Sequence, residues 1–343
     1  MTAAQYSWLQ TPFHVFKTED YLMKLASIAD STRDGALVVI SRDGERYLQA
    51  PVHTLQTALE NWADTAPQLL TLATKLEQGG GSAVSDIRYL APLPRAWQWL
   101  DGSAFKSHGD LMEKVFGIDP VPLDKPLMYQ GMSHRFLSAT EDVEFMRQED
   151  DIDFEGEFGI ITDDVPMGTG SEEAMEHIKL IVQINDWSLR RIAPAEMKTG
   201  FGWIQAKPAC SMASFAVTPD ELGEAWRDGR IHLPLTVDWN GERFGAAHAG
   251  IMDVGFHELI AHAAATRDLC AGTVIGSGTV SNDNFREIGS SCIAERRGIE
   301  IVDEGAPKTH FMKFGDRVRM EGRGADGSLL FGAIDQRVVQ KAV

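Results

Sequence analysis

The chain has 343 residues and carries 50 acidic against 32 basic side chains, a formal charge of −18 that argues against non-specific nucleic-acid binding, which needs a basic footprint. Its 43% hydrophobic and 24% charged content suits a soluble globular protein of one large domain, or a large plus a small one, and no apolar run of about 18 residues could span a bilayer. The opening Met1-Thr2-Ala3-Ala4-Gln5-Tyr6 has no basic region leading into an apolar stretch, so no secretory signal is expected and the cytoplasm is the expected compartment. Cys210, Cys270 and Cys292 form no C-x-x-C pair, which fits a reducing compartment and reads all three as small core residues, not zinc ligands or a disulfide framework.

Along the chain, residues 36–50 read as a hairpin turning at Asp43-Gly44, and the start is expected to be β-rich. From Thr54 to Gln78 the spacing of Leu55, Ala58, Leu59, Trp62, Leu69, Leu70 and Leu72 is helical, with an interruption near Pro67. Gly79-Gly80-Gly81-Ser82 marks a joint, which sets a boundary near Ser85 between a small N-terminal domain (1–85) and a large catalytic one (86–343). Ser103 to Phe116 has helical character. Thr169 or Ser171 opens a second helix that carries Met175, Ile178, Ile181 and Val182 toward a core and delivers Asp186 at its end. Thr218-Pro219-Asp220-Glu221 reads as a capping box with Gly229 as the helix stop. Asn240-Gly241 and Asp326-Gly327 are type I′ hairpin signals in a strand-rich second half. Long helix–strand alternation is absent, so an α+β architecture is expected over a doubly wound sheet.

The most informative stretch is Asp153-Phe154-Glu155-Gly156-Glu157-Phe158, followed by Asn185-Asp186-Trp187-Ser188. In a strand, Glu155 and Glu157 share a face with Cα atoms roughly 7 Å apart and can reach one cation. Carboxylates held that close repel and call for a partner, and a hard cation such as Mg²⁺, Mn²⁺ or Ca²⁺ prefers oxygen ligands. The plain alternative is a solvated acidic edge strand, which the flanking Phe154, Phe158, Ile160 and Ile161 disfavour. Asp151-x-Asp153-x-Glu155-Gly156 also imitates the opening of an EF-hand loop, but Thr162 stands where that loop needs its closing glutamate. His257-Glu258-Leu259-Ile260-Ala261-His262 imitates a zincin motif and fails on spacing, so it is read as structural.

In order, Trp99-Leu100-Asp101-Gly102-Ser103-Ala104-Phe105, Pro126-Leu127-Met128-Tyr129, Phe154-Glu155-Gly156-Glu157, Asn185-Asp186-Trp187-Ser188-Leu189-Arg190, Lys207-Pro208 and Gly276-Ser277-Gly278-Thr279 resemble the fumarylacetoacetate hydrolase family over roughly residues 90–338. The resemblance implies a mixed β-sandwich roll that binds Mg²⁺, Mn²⁺ or Ca²⁺, usually forms a homodimer, and cleaves or rearranges carbon–carbon bonds beside carbonyl groups. By motif position it makes Glu155, Glu157 and Asp186 the metal ligands, with Asp101 as a fourth carboxylate. It sets Lys207, Tyr129, Arg190, Gly278 and Thr279 in the active site, and reads Asp153 as outside the ligand set. His108, seven residues after Asp101, falls on the fumarylacetoacetase branch's histidine, with Glu295 the best match for its glutamate partner.

A 1,3-diketone acid chelates such a metal through its enolate oxygens, so binding and stabilisation of the developing charge share one ion. His108 would then act as general base toward water, and Lys207 would stabilise the oxyanion or protonate the leaving carbanion. Ala193, Met197 and Ser103 replace a glutamine and two tyrosines of the fumarylacetoacetase branch, a departure that bears on the substrate. The expected activity is hydrolysis of fumarylacetoacetate or a related acylpyruvate, a small anionic diketo acid. A 2-oxo acid lyase, isomerase or decarboxylase on the same scaffold is the alternative, and a non-catalytic dicarboxylate or metal sensor is the reading from another class.

Overall fold

The computed structural model describes residues 22–116 and 125–342; the opening Met1–Tyr6 and the first part of the expected 1–85 domain lie outside them. The N-terminal portion runs β1 (Lys24–Ile28), β2 (Ala36–Ile40), β3 (Arg46–Gln49), α1 (Leu55–Glu60), α2 (Trp62–Glu77) and β4 (Ser82–Ala83). The hairpin expected over 36–50 is β2–β3, paired from Val38↔Gln49 to Ile40↔Tyr47. The helical stretch breaks at Asn61 and not at Pro67: Pro67 lies inside α2, while Asn61 ends α1 and starts α2 with φ −131°. Thr54 caps α1 by accepting from Thr57 N at 3.1 Å.

There follow β5 (Gln98–Gly102), α3 (Lys106–Phe116), β6 (Met128–Gln130), β7 (Val143–Phe145), β8 (Ile152–Asp153), β9 (Gly156–Thr162), α4 (Ser171–Ala174), β10 (Ile178–Asn185), β11 (Ser188–Leu189), α5 (Ala193–Met197), β12 (Ser211–Met212) and β13 (Ala216–Val217). The expected helix through Ile178, Ile181 and Val182 is therefore corrected to a strand: only residues 171–177 are helical, and β10 is buried on both faces in the middle of the main sheet. Ile-Lys-Leu-Ile-Val-Gln-Ile is a β-branched run, and such side chains lose rotamer freedom in a helix but pack well on a pleated surface.

The remaining elements are β14 (Trp226–Arg227), β15 (Arg230–Ile231), β16 (Pro234–Trp239), β17 (Glu242–His248), α6 (Phe256–Ala263), β18 (Thr273–Gly276), α7 (Phe285–Ile288), α8 (Ile293–Glu304), β19 (Arg317–Arg323) and β20 (Leu329–Gln340). Thr218 precedes a 3₁₀ helix over 219–225 and not an α-helix. Its hydroxyl accepts from Met23 N at 3.0 Å, and Gly229 turns the β14–β15 hairpin instead of stopping a helix. Asn240 and Gly241, at φ 53° and 84°, make the expected type I′ turn between β16 and β17. At Asp326-Gly327 only the glycine has positive φ, so the β19–β20 turn is of another type.

The strands form a main sheet in the order β4-β3-β2-β1-β13-β10-β9-β18-β5-β6, with β12 also on β10, and a second sheet in the order β17-β16-β19-β20-β7. The N-terminal strands thus continue the main sheet through the antiparallel β1–β13 pair. One face of the main sheet packs on the second sheet, where Phe158 meets Phe331 at 5.5 Å between centroids. The other face, bearing Trp99, Ile161, Ile184 and Val274, is covered by Leu55, Leu59 and Leu69 of α1 and α2. The α+β expectation, with large sheets and a small N-terminal portion, holds. Cys210 and Cys292 are buried as expected, whereas Cys270 is exposed in the turn before β18.

Candidate active site

Period-2 alternation places the acidic residues. Asp101 follows Trp99 on β5, Asp186 follows Ile184 at the end of β10, and Glu157 precedes Ile161 on β9 by four residues, so all three share the helix-covered face. Cross-strand register completes the assembly: Asp101 is opposite Gly276, Gly276 opposite Gly159, and Glu157 opposite Ile184. Ligand atoms of Asp101, Glu157 and Asp186 consequently lie within 4.8 Å of one another, all three side chains buried. Gly276 is required here, because a Cβ at that position would fall 2.4 Å from Asp101 Oδ1 and 3.0 Å from Glu157 Oε2. Gly278, at φ 74°, donates its N–H to Asp101 Oδ1 at 3.2 Å.

Glu155 stands beside this trio and is held differently. It precedes β9 in an isolated bridge to Cys292, and its carboxylate takes Lys207 Nζ at 2.6 Å and the Arg190 guanidinium. Lys207 Nζ also reaches Asp186 Oδ2 at 2.5 Å, so one ammonium joins Glu155 to the trio. Asp186 is further gripped by Tyr129 Oη at 2.7 Å and by Cys210 Sγ at 2.9 Å. Arg190, expected against substrate, has its Nε on Asp153 at 2.8 Å. Asp153 is fully buried and accepts from the backbone N–H groups of Ile293 and Ala294, which open α8; it anchors the α8 N-terminus and is not solvent-facing.

Charge crowding shows in the ionisation of these groups. Burial, then the Asp186 carboxylate, pushes Asp101 up to about 8, and burial with Asp101 raises Glu157 well above the carboxylate range. Asp186 is raised by burial against the pull of Lys207. Glu155 is also buried, but Lys207 and Arg190 outweigh that and hold it below the ordinary range. Both oxygens of Glu157 are buried with no hydrogen-bond donor among the described residues. A donor set of buried carboxylates, one of them with neither oxygen satisfied, is the chemistry of a hard divalent cation held by oxygen, and Asp101, Glu157 and Asp186, with Glu155 alongside, fit that group.

His108, on the first turn of α3, brings its Nδ1 to 3.5 Å from Glu295 Oε1; the histidine side chain is 18% exposed and the glutamate fully buried on the first turn of α8. Ser281 donates to the same Glu295 oxygen, and Ser107 Oγ is 2.9 Å from Ser281 Oγ. Thr279 is buried two residues before Ser281. Sequence reasoning missed Ser107, Ser281 and Cys210 as members of the site. The serines carry no spacing signal without the docking of α8 on α3, and Cys210 reads as any small core residue.

Residues 98–339 match the family described as fumarylacetoacetate (FAA) hydrolase C-terminal, and residues 23–95 match fumarylacetoacetase N-terminal domain 2. The chain belongs to the fumarylacetoacetate hydrolase family, whose members are enzymes that bind a divalent metal. No curated protein matches it. Among solved structures it is similar to a fumarylacetoacetate hydrolase from psychrophilic Exiguobacterium antarcticum (16% identity, 93% of this chain and 100% of that one, TM-score 0.64). It is similar too to a maleylpyruvate hydrolase from Sphingobium sp. SYK-6 in complex with manganese(II) and pyruvate (15%, 93% and 100%, TM-score 0.62). A third is a probable 2-hydroxyhepta-2,4-diene-1,7-dioate isomerase from Mycobacterium abscessus (16%, 94% and 100%, TM-score 0.62). Hydrolases and isomerases therefore share this scaffold. No helix among the described residues is long and apolar enough to cross a membrane.

Proposed function

We propose that this enzyme hydrolyses a carbon–carbon bond of a 1,3-diketone acid, fumarylacetoacetate or a related acylpyruvate, using a divalent cation, Mg²⁺ or Mn²⁺ in the first instance. The observation that carries the reading is the approach of His108 Nδ1 to 3.5 Å from the buried carboxylate of Glu295, with the same histidine close enough to Glu155 to help hold its carboxyl below the ordinary range. A general base is needed to activate water, whereas a decarboxylase has no water to activate; an isomerase would use the same base only to move a proton, so the products separate those two.

Asp101, Glu157 and Asp186 would hold the cation, with Glu155 on the Lys207 side. When bound, the cation orients the diketone oxygens and offsets the negative charge that grows on them. His108, with Nδ1 turned to Glu295, takes a proton from water at its other ring nitrogen, and the hydroxide oxygen forms a bond to the acyl carbonyl carbon. Collapse of that adduct breaks the carbon–carbon bond, and its electron pair passes to the departing enolate carbon. The proton returns to that carbon from the imidazolium or from Lys207, so one water is consumed and two carboxylic acids leave. Tyr129 and Arg190 position Asp186 and Glu155, Gly278 steadies Asp101, and Thr279 is offered to the substrate.

The test is loss of diketone absorbance over a panel of acylpyruvates and fumarylacetoacetate, with and without EDTA, with a 2-oxo-dienoate as the isomerase arm. His108→Ala is expected to lower kcat by about 10²–10⁴-fold while leaving Mn²⁺ affinity within about twofold. Full turnover in that variant, or isomerisation without hydrolysis in the wild type, would overturn the assignment.

A further inference from the structure

Outside the acidic cluster, the β5–β6 ribbon continues past its sheet pairing, with Ala96 N donating to Ser133 O at 2.9 Å, and reaches the β1–β2 loop and the start of α1. Two adjoining cavities open there, of about 380 and 300 Å³, sharing Pro94, Arg95 and His134. Trp97 lines the smaller one and is four residues from Asp101, roughly 13 Å along an extended chain.

The larger cavity gathers Arg33, Arg88, Arg95 and Arg135 with His134, and Glu141 is its one acidic lining residue. This is an unusual concentration in a chain of formal charge −18. Arg95 is engaged by Asp34 and Arg135 by Glu141. Arg33 and Arg88 are different. Among the arginines, only these two and Arg267 have side chains with neither a hydrogen bond nor an ion pair to a described residue. Two unengaged guanidiniums thus line one concavity, and a guanidinium fork matches a carboxylate or phosphate in bidentate fashion. The adjoining chamber exposes mainly apolar surface, from Leu55, Leu93, Pro94 and Trp97, with Asp34 at its edge engaged by Arg95, and Trp97 leaves 66% of its surface exposed. A large exposed indole beside a cationic cavity matches a flat apolar group joined to an anionic one.

We propose that this pair of cavities is a second ligand site, distinct from the catalytic centre, for a small aromatic anion whose charged group sits between Arg33 and Arg88 and whose ring lies against Trp97. The charge is bound by Arg33 of the β1–β2 loop and Arg88 after β4, and the ring by the segment leading into β5, so occupancy ties these stretches together.

Titration calorimetry of phenyl phosphate into the metal-loaded full chain tests this, with inorganic phosphate and phenol as the charge-only and ring-only probes. Phenyl phosphate is expected to bind at least about fivefold tighter than either half. Arg33→Ala/Arg88→Ala is expected to weaken it by at least about tenfold, and Trp97→Ala to bring it to the level of inorganic phosphate. All three residues are exposed, so an unchanged Tm serves as the folding control. Undiminished phenyl phosphate binding in the double arginine variant, or equal binding of phenyl phosphate and inorganic phosphate, would sink the proposal.

Discussion

Single residues at this site are constrained more by what surrounds them than by their own type. Gly276 shows it: the added methyl of Gly276→Ala would meet Asp101 Oδ1 and Trp99 Cη2 at 2.4 Å each, and the indole is locked in the core. The variant is expected to lose about 1–3 kcal/mol of stability and at least about tenfold in Mn²⁺ affinity, read by thermal denaturation and by manganese EPR titration. Retained affinity would mean that Asp101 does not approach the ion. Part of the candidate site was legible in advance because motif order marks side-chain chemistry directly. Asp101, Glu157 and Asp186 do converge, Lys207 and Tyr129 both reach Asp186, and His108 approaches Glu295. What was not legible is which carboxylate turns where. Glu155 and Glu157 look equivalent as Glu-x-Glu, yet Lys207 and Arg190, contributed by distant stretches, take the first and leave the second unpaired.

At the scale of elements, sequence pattern succeeded where turn chemistry is local and failed where burial decides. Asp43-Gly44 and Asn240-Gly241 announce their hairpins through backbone conformation alone. Residues 178–185 offer a run of apolar residues that a helix or a buried strand explains equally well, and the central position of β10 between β9 and β13 settles it. One contact between elements bears on the proposed base. Gly245 of β17 bridges Gly289, and a Cβ there would lie 2.2 Å from Ser290 O and 2.5 Å from Ser290 N. Both are backbone atoms of the segment that leads into α8 and Glu295, so Gly245→Ala must shift that segment. A stability loss of about 1–3 kcal/mol is expected, together with a fall in kcat larger than the fall in Mn²⁺ affinity, because the segment reaches the cluster only through backbone, Ser291 O accepting from Gly156 N at 2.9 Å. A parallel fall in metal affinity would show that the segment also supports the cluster.

For the whole molecule, the crowded carboxylates make stability depend on pH in a direction set by metal. Asp101, raised to about 8, and Glu157 and Asp186, also raised, keep protons in the fold that the unfolded chain releases in the ordinary carboxylate range. Their contribution is complete below that range and is lost as pH rises toward about 8, so the EDTA-treated protein should become less stable between pH 7 and pH 8. Glu155 and the other lowered carboxylates have made their full contribution by the top of the ordinary carboxylate range, while His232, His248, His257 and His262, lowered by burial, add stability as pH rises through the ordinary imidazole range, so the loss is read above that range. With Mn²⁺ the slope should flatten or reverse, since binding displaces those protons. Tm at the two pH values, with and without metal, checks it; a metal-free protein that gains stability toward pH 8 would contradict the crowding.

The same three carboxylates ride on β5, β9 and β10, with a long stretch of chain between the first and the other two and with β18 wedged between β5 and β9. An ion among them would act as a rivet through strands that cannot meet until the sheet has zipped up. Such a fastening arrives after the folding nucleus and grips only the finished fold, so it would prolong the lifetime of the native state and leave the speed of reaching it almost untouched.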